Sequence, residues 1–335
     1  MYDIPFMLRW IFITLLFPAF LSAQLKRFQY SENKMGSPFT IIFYHTDSAE
    51  ALQFFKNCFL LVDTLNNIFS DYFVNSEVGI LSKKQTTQAQ LISDELLSMI
   101  LKSKEAWEKS EKAFDITIGP LSQLWRKARS EKRFPSSLEI KKAKQITGFE
   151  KLVVDVSSKT IAFRSKGMKL DFGGIVKGYA AQKVINYLKT KNITQALADA
   201  GGDIAMSNAP PDKKGWTVGI NLPEKENELW DQKLELSNCT VATSGDVYRF
   251  TIHNGKKYSH IIDPRTGYGV TSQRNVTVIA KDGATADWLA TAFSILPVEK
   301  ALQLVKKENA ALLISVLKNE KVIIYKSENF DNFFK

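Results

Sequence analysis

The sequence predicts an α+β fold, with mixed antiparallel sheets and packed helices. Three observations carry that expectation. Amphipathic helical stretches and β-branched strand stretches are interspersed without the regular βαβ alternation of a doubly wound sheet. Several strand patterns come in pairs joined by short turns. The chain also ends in such a pair, ALLISVLKNEKVIIYK, turning at Asn319. The 335 residues, 44 % hydrophobic and 24 % charged, are enough for a large core.

In chain order, FTIIFY (39–44) reads as a strand, and residues 47–69 as a long amphipathic helix capped by Asp47. Residues 69–83 read as a loop, 90–112 as a second helix and 138–147 as a short third one. The stretch 151–172 holds a strand–turn–strand pattern, and a helix over 174–190 follows. QALADAGGDIAMS (195–207) reads as strand, glycine turn, strand, and 215–280 as mostly strands. Helices over 283–296 and 298–308 precede the final hairpin.

The N-terminus has the parts of an export signal: Arg9, the apolar run WIFITLLFPAFL (10–21) and the small residue Ala23. Residues 1–23 read as a signal peptide, leaving 24–335 as one domain in the periplasm, or anchored to the outer face of the inner membrane if the apolar stretch stays uncleaved. The formal charge of +10 is spread along the chain and reads first as a solvated basic surface, with attraction to anionic ligands or membrane headgroups as the sharper alternative. No basic run with interleaved aromatics points to nucleic acid. Cys58 and Cys239 lie in apolar surroundings and read as buried free thiols, with a disulfide as the alternative that export permits. Three histidines in all argue against a histidine-built metal site.

Six short stretches carry candidate chemistry. In LDFGGIVKGYAAQKV (170–184), Gly173 and Gly174 allow close approach, Asp171 reads as a helix N-cap, and Lys177 stands at a helix start. A cation is poorly placed at that positive end of the dipole, so an anion is expected beside it. The plain alternative is a tight strand-to-helix junction with a solvated lysine. In YSHIIDPRTGYG (258–269), His260 lies on a strand that ends at Asp263, before a proline turn closed near Gly267. It is either a general base or a structural histidine. In KDGATADWLATAFSIL (281–296), Asp287 and Thr291 share a helix face. A carboxylate and a hydroxyl there suit a hard cation such as Mg²⁺; otherwise they stabilise the helix itself. AFDITIGPLSQLW (113–125) places Asp115 and Thr117 before a Gly-Pro helix start. ADAGGDIAMS (198–207) and VATSGDVYRF (241–250) are small-residue turns.

Taken in order with MGSPF (35–39) and SDYFVNSEVGIL (70–81), these motifs resemble the ApbE family, the FAD:protein FMN transferases, over about residues 28–326. The resemblance implies a T-fold-like architecture and an enzyme acting outside the cytoplasm. Such an enzyme binds FAD with a divalent metal, Mg²⁺. It moves FMN onto a Ser or Thr hydroxyl of a partner protein as a phosphoester, releasing AMP. The implied partner is a flavin subunit of a respiratory complex or a related reductase. The resemblance puts Met35, Tyr72, Phe114, Asp115, Asp171, Lys177 and Ile261 in the FAD site, Asp171 by the adenine part and Lys177 by the diphosphate. It makes Asp287, Thr291 and the Gly174 carbonyl metal ligands, and His260 the candidate base. The lipid-anchoring cysteine of many members is missing. An FAD pyrophosphatase and a non-catalytic FAD-binding protein are the alternatives.

Overall fold

A computed structural model describes residues 24–84, 87–221, 229–245 and 250–335. The signal-peptide expectation for 1–23 lies outside the described residues. No helix among those described is long and apolar enough to cross a membrane.

The chain starts with a hairpin, β1 (Lys26–Lys34) and β2 (Ser37–His45), followed by helix α1 (Ser48–Phe69) and helix α2 (Glu77–Lys84). Asp47 caps α1 as expected, accepting from the N–H groups of Ala49 and Glu50. Helix α2 corrects the loop expected over 69–83. Ser76 folds back on the Ser70 carbonyl and accepts from Gly79 N–H, and this starts a helix in a stretch rich in turn residues. A short strand β3 (Gln90–Leu91) then precedes α3 (Asp94–Lys109), capped by Ser93. The helix expected from 90 therefore starts later, at its serine cap.

Helices α4 (Gly119–Ser130) and α5 (Ser137–Gln145) lead to β4 (Leu152–Asp155) and β5 (Thr160–Phe163), and then to α6 (Val176–Thr190). The strands β6 (Ala196–Asp199), β7 (Asp203–Met206), β8 (Trp216–Asn221), β9 (Leu229–Leu236) and β10 (Thr240–Gly245) come next. The hairpin β11 (Phe250–His253) and β12 (Lys256–Ser259), strand β13 (Arg274–Ala280), helices α7 (Gly283–Phe293) and α8 (Val298–Lys307), and the hairpin β14 (Ala311–Lys318) and β15 (Lys321–Lys326) complete the order.

The main sheet runs β1-β2-β6-β7-β10-β13-β14-β15, with antiparallel neighbours throughout. Period-2 alternation gives it two different faces. Ala198, Ala205, Ala242, Val276 and Val278 pack under α1, α6 and α7 in the largest core cluster. Leu197, Met206, Val241, Ile279 and Leu313 point the other way, onto the β8–β9 hairpin and Phe330. The small residues on the helical face let α6 and α7 lie close to the strands. A third cluster, Leu121, Trp125, Ile140 and Ile262, fastens the segment after β12 onto α4 and α5. This is the α+β arrangement the sequence predicts. Both cysteines are free, Cys58 buried and Cys239 half-buried rather than fully enclosed.

Candidate active site

The glycine–lysine segment crosses from the core to α6 by a turn. The Asp171 carboxylate accepts from Gly173 N–H at 2.9 Å, and the Phe172 carbonyl accepts from Ile175 and Val176 N–H, each at 3.1 Å. Phe172 is buried, so the chain completes this turn before the helix starts. Ile175 is the N-cap and makes no side-chain cap bond. Asp171 therefore closes the turn and does not cap the helix, which begins at Val176 and not at 174.

The glycines set the α6–α7 contact. A Cβ on Gly178 would overlap the Gly283 carbonyl, and one on Gly283 would overlap the Gly178 carbonyl. The two helix backbones thus touch, which only paired glycines permit. A Cβ on Gly174 would lie 2.7 Å from Thr291 Oγ1, so this glycine and Thr291 face each other. One turn along, Gly178 N–H donates to Asp287 Oδ2 at 3.1 Å.

Lys177 meets an anion, and that anion belongs to the protein. Its Nζ lies 2.6 Å from Asp203 Oδ2, at the start of β7. Asp203 and Asp287 are each only 3 % exposed. Burial, and then the Asp203 charge, push the Asp287 carboxyl well above the usual carboxylate range, against the pull of Lys177. The ammonium is thus held at the helix start by buried Asp203, with the charge of Lys177 also acting on Asp287. At the end of β6, before the same glycine turn, Asp199 accepts from Gly202 N–H at 2.8 Å, and its pKa is raised by burial.

Among the described residues no three His, Cys, Asp or Glu converge as a metal cage. The expected set instead joins one carboxylate to a hydroxyl and a backbone carbonyl, all oxygen donors. Asp287 is a fully enclosed acid whose neutral form is favoured by its surroundings, and a bound cation would stabilise its ionised form. These residues fit a hard divalent ion.

On the outer side of the same segment, Arg126 of α4 gathers a second group. Its guanidinium bonds to the Asp71 carboxylate, and Nη2 stands 3.9 Å from Asp171 Oδ2. It also lies over the Tyr72 ring, 4.1 Å from the centroid. Burial and the neighbouring Asp171 raise the Asp71 pKa, while Arg126 opposes that rise.

The other expected residues occupy distinct places. Met35, at φ 52°, forms the β1–β2 turn with Gly36; next to it Ser37 Oγ donates to the Ala200 carbonyl at 3.4 Å, beside the turn that carries Asp203. Phe114 is buried, its ring 6.3 Å from that of Trp288 on α7. Asp115 is buried too. It accepts from Thr117 N–H and Oγ1 at 2.8 and 2.6 Å and from Phe149 N–H at 3.1 Å, and burial raises its pKa to about 6. His260 is half-buried in a bend after β12, which ends at Ser259 and not at Asp263. Ile261 N–H donates to Ser259 Oγ at 3.1 Å, and the Gly267 carbonyl accepts from Trp125 Nε1 at 3.0 Å, tying this segment to α4.

The fold therefore brings Gly174, Lys177, Asp287 and Thr291 together at the α6–α7 contact and places Tyr72 and Asp171 around Arg126. It leaves His260 and Ile261 on a separate segment. Asp203, Asp71 and Arg126 escaped the sequence reading. The GGD turn was the one available signal for Asp203.

A profile of the ApbE family matches residues 35–314. The chain belongs to the ApbE family. It is 28 % identical over 298 residues to a FAD:protein FMN transferase of Klebsiella pneumoniae strain 342, covering 89 % of this chain and 91 % of that protein. To the FAD:protein FMN transferase of a Vibrio cholerae serotype O1 strain it is 27 % identical over 277 residues, 82 % of each chain. The solved ApbE protein of Thermotoga maritima superposes with a TM-score of 0.83 at 27 % identity, over 92 % of this chain and all of that one. The apo form of the Pseudomonas stutzeri flavinyl transferase ApbE gives 0.82 at 26 % identity, over 93 % and 98 %. The family match thus spans strands β2 to β13, both helices of the α6–α7 contact and the bend after β12.

Proposed function

We propose that this protein is an FAD:protein FMN transferase that moves FMN from FAD to a Ser or Thr hydroxyl of a partner protein. The observation that carries this reading is the α6–α7 contact. There a buried carboxylate, a lysine ammonium and a threonine hydroxyl meet around a glycine turn, in a chain of this family.

The acceptor oxygen attacks the phosphorus of the FMN half. The phosphoanhydride P–O bond breaks, AMP leaves with the bridging oxygen, and the acceptor proton passes to His260. Lys177, steadied by Asp203, offsets negative charge that gathers on the phosphate oxygens. Asp171 holds the adenine part, while Met35, Tyr72, Phe114, Asp115 and Ile261 form the rest of the FAD site. Asp287, Thr291 and the Gly174 carbonyl would hold Mg²⁺, which supplies Lewis-acid stabilisation at the diphosphate. The reaction takes place outside the cytoplasm, on a flavin subunit of a respiratory complex or a related reductase.

The test incubates residues 24–335 with FAD, Mg²⁺ and an acceptor domain, then records the acceptor's intact mass and the AMP formed. The reading predicts a mass gain of one FMN residue with matching AMP. AMP and free FMN without a mass gain would make the protein a pyrophosphatase. FAD retained without turnover would make it a binding protein.

A further inference from the structure

Arg126 is placed oddly for a residue that only stabilises the fold. Its guanidinium joins three segments: α4, the Ser70–Tyr72 loop after α1, and the turn at Asp171. One partner, Asp71, has a side chain only 8 % exposed, and the Asp171 side chain is 17 % exposed. The third partner is different. Tyr72 is 73 % exposed, so its ring adds little to the core. An exposed tyrosine ordinarily samples several rotamers. Here one ring face is covered by a cation anchored by a carboxylate, and the other is left open to solvent.

We infer that Arg126 is a positioning residue for FAD: it fixes the Tyr72 ring as a platform on which a flat ring of the dinucleotide stacks. The inference rests on the proposed function, since it needs FAD to bind beside Asp171. Two physical effects support it. A planar guanidinium stacked on one face orients the ring, and a lysine ammonium cannot reproduce that geometry. The same charge also offsets Asp71 and Asp171, two carboxylates that would otherwise repel the diphosphate of the incoming ligand.

The experiment measures FAD affinity by flavin fluorescence, KM and kcat for FAD turnover, and the unfolding temperature. It compares the wild type with Arg126→Ala, Arg126→Lys, Tyr72→Ala and the Arg126→Ala/Tyr72→Ala double variant. Arg126→Ala is expected to raise Kd and KM for FAD about tenfold, with kcat changed less than about threefold. Arg126→Lys keeps the charge and loses the planar face, so it should recover the unfolding temperature and only part of the affinity. The Arg126 and Tyr72 losses should be less than additive, because the residues act as one unit. An Arg126→Ala variant that unfolds at lower temperature yet binds FAD unchanged would reduce the cluster to a structural ion pair and overturn the inference. So would additive losses in the double variant. Should Arg126→Ala fail to fold, Arg126→Lys decides: a stable protein with unaltered Kd and KM overturns the inference. A wild type that binds no FAD overturns it together with the proposed function, whereas FAD binding that ignores Arg126 overturns the inference alone.

Discussion

The α6–α7 contact and the Arg126 cluster flank the same turn, Asp171–Gly174, and are built by opposite means. At the first, two glycines bring helix backbones into contact; Asp287 and Asp203 are buried there, while Lys177 and Thr291 are half-buried. At the second, one guanidinium holds two carboxylates around an exposed ring. On the packed side, Gly178 N–H fixes Asp287 and Asp203 fixes Lys177, and electrostatic stabilisation needs such fixed groups. The open side is held by charge and presents a surface, as recognition needs. The difference suggests a division of labour: chemistry on the packed side of the turn and ligand selection on the charged side.

The comparison can be broken most severely from the packed side. In Gly178→Ala the new methyl meets the Gly283 carbonyl, with Asp287 Cβ 3.0 Å away, and neither backbone can yield cheaply. A loss of about 3 kcal/mol or more is expected in urea unfolding. A loss near zero would mean that the helices can separate freely.

Lys177→Ala comes next. It leaves Asp203 buried and unpaired and removes a cation beside Asp287. Urea unfolding should show a loss of about 3 kcal/mol. FAD turnover should fall about 100-fold. Turnover that survives would move the phosphate contact elsewhere.

These sites also show how far the sequence could be read. Helix α1 with its Asp47 cap, the hairpin at Asn319 and the buried stripe Leu289, Ala292 and Phe293 of α7 were all legible, because cap and periodicity are local signals. Strand β1, KRFQYSENK, was missed because it is an edge strand whose residues are nearly all exposed, so it shows no apolar alternation. Helix α2 was hidden behind Asn75 and Ser76, which favour turns. The lysine at the helix start stands out in the sequence as an anomaly, but its partner Asp203 lies 26 residues away on strand β7. The Arg126–Asp71 pair spans 55 residues, and nothing local in either segment announces it. Propensity and pattern reveal elements; ion pairs between distant segments follow only from their packing.

A smaller effect sharpens the picture of Asp115, whose oxygens are used by Thr117 and Phe149. Its folded pKa, about 6, lies above the usual carboxylate value of 3.8 because of burial. The folded state therefore holds this proton more tightly than the unfolded chain. Stability from this group is gained as pH falls from about 6 towards 4, and lost again as pH rises through that window. The stability of the wild type relative to Asp115→Asn should thus improve on going from pH 7 to pH 4 in paired thermal melts. A difference that stays constant would mean that the carboxyl does not titrate there.

The most direct test of the division of labour is Asp287→Ala, assayed by the acceptor's intact mass alongside FAD binding. Asp287 sits on the packed side and touches neither Arg126 nor Tyr72. The account predicts an acceptor that gains no FMN mass, from a variant that still binds FAD on the charged side. An acceptor that is flavinylated at the wild-type rate would contradict it and place the chemistry away from the α6–α7 contact.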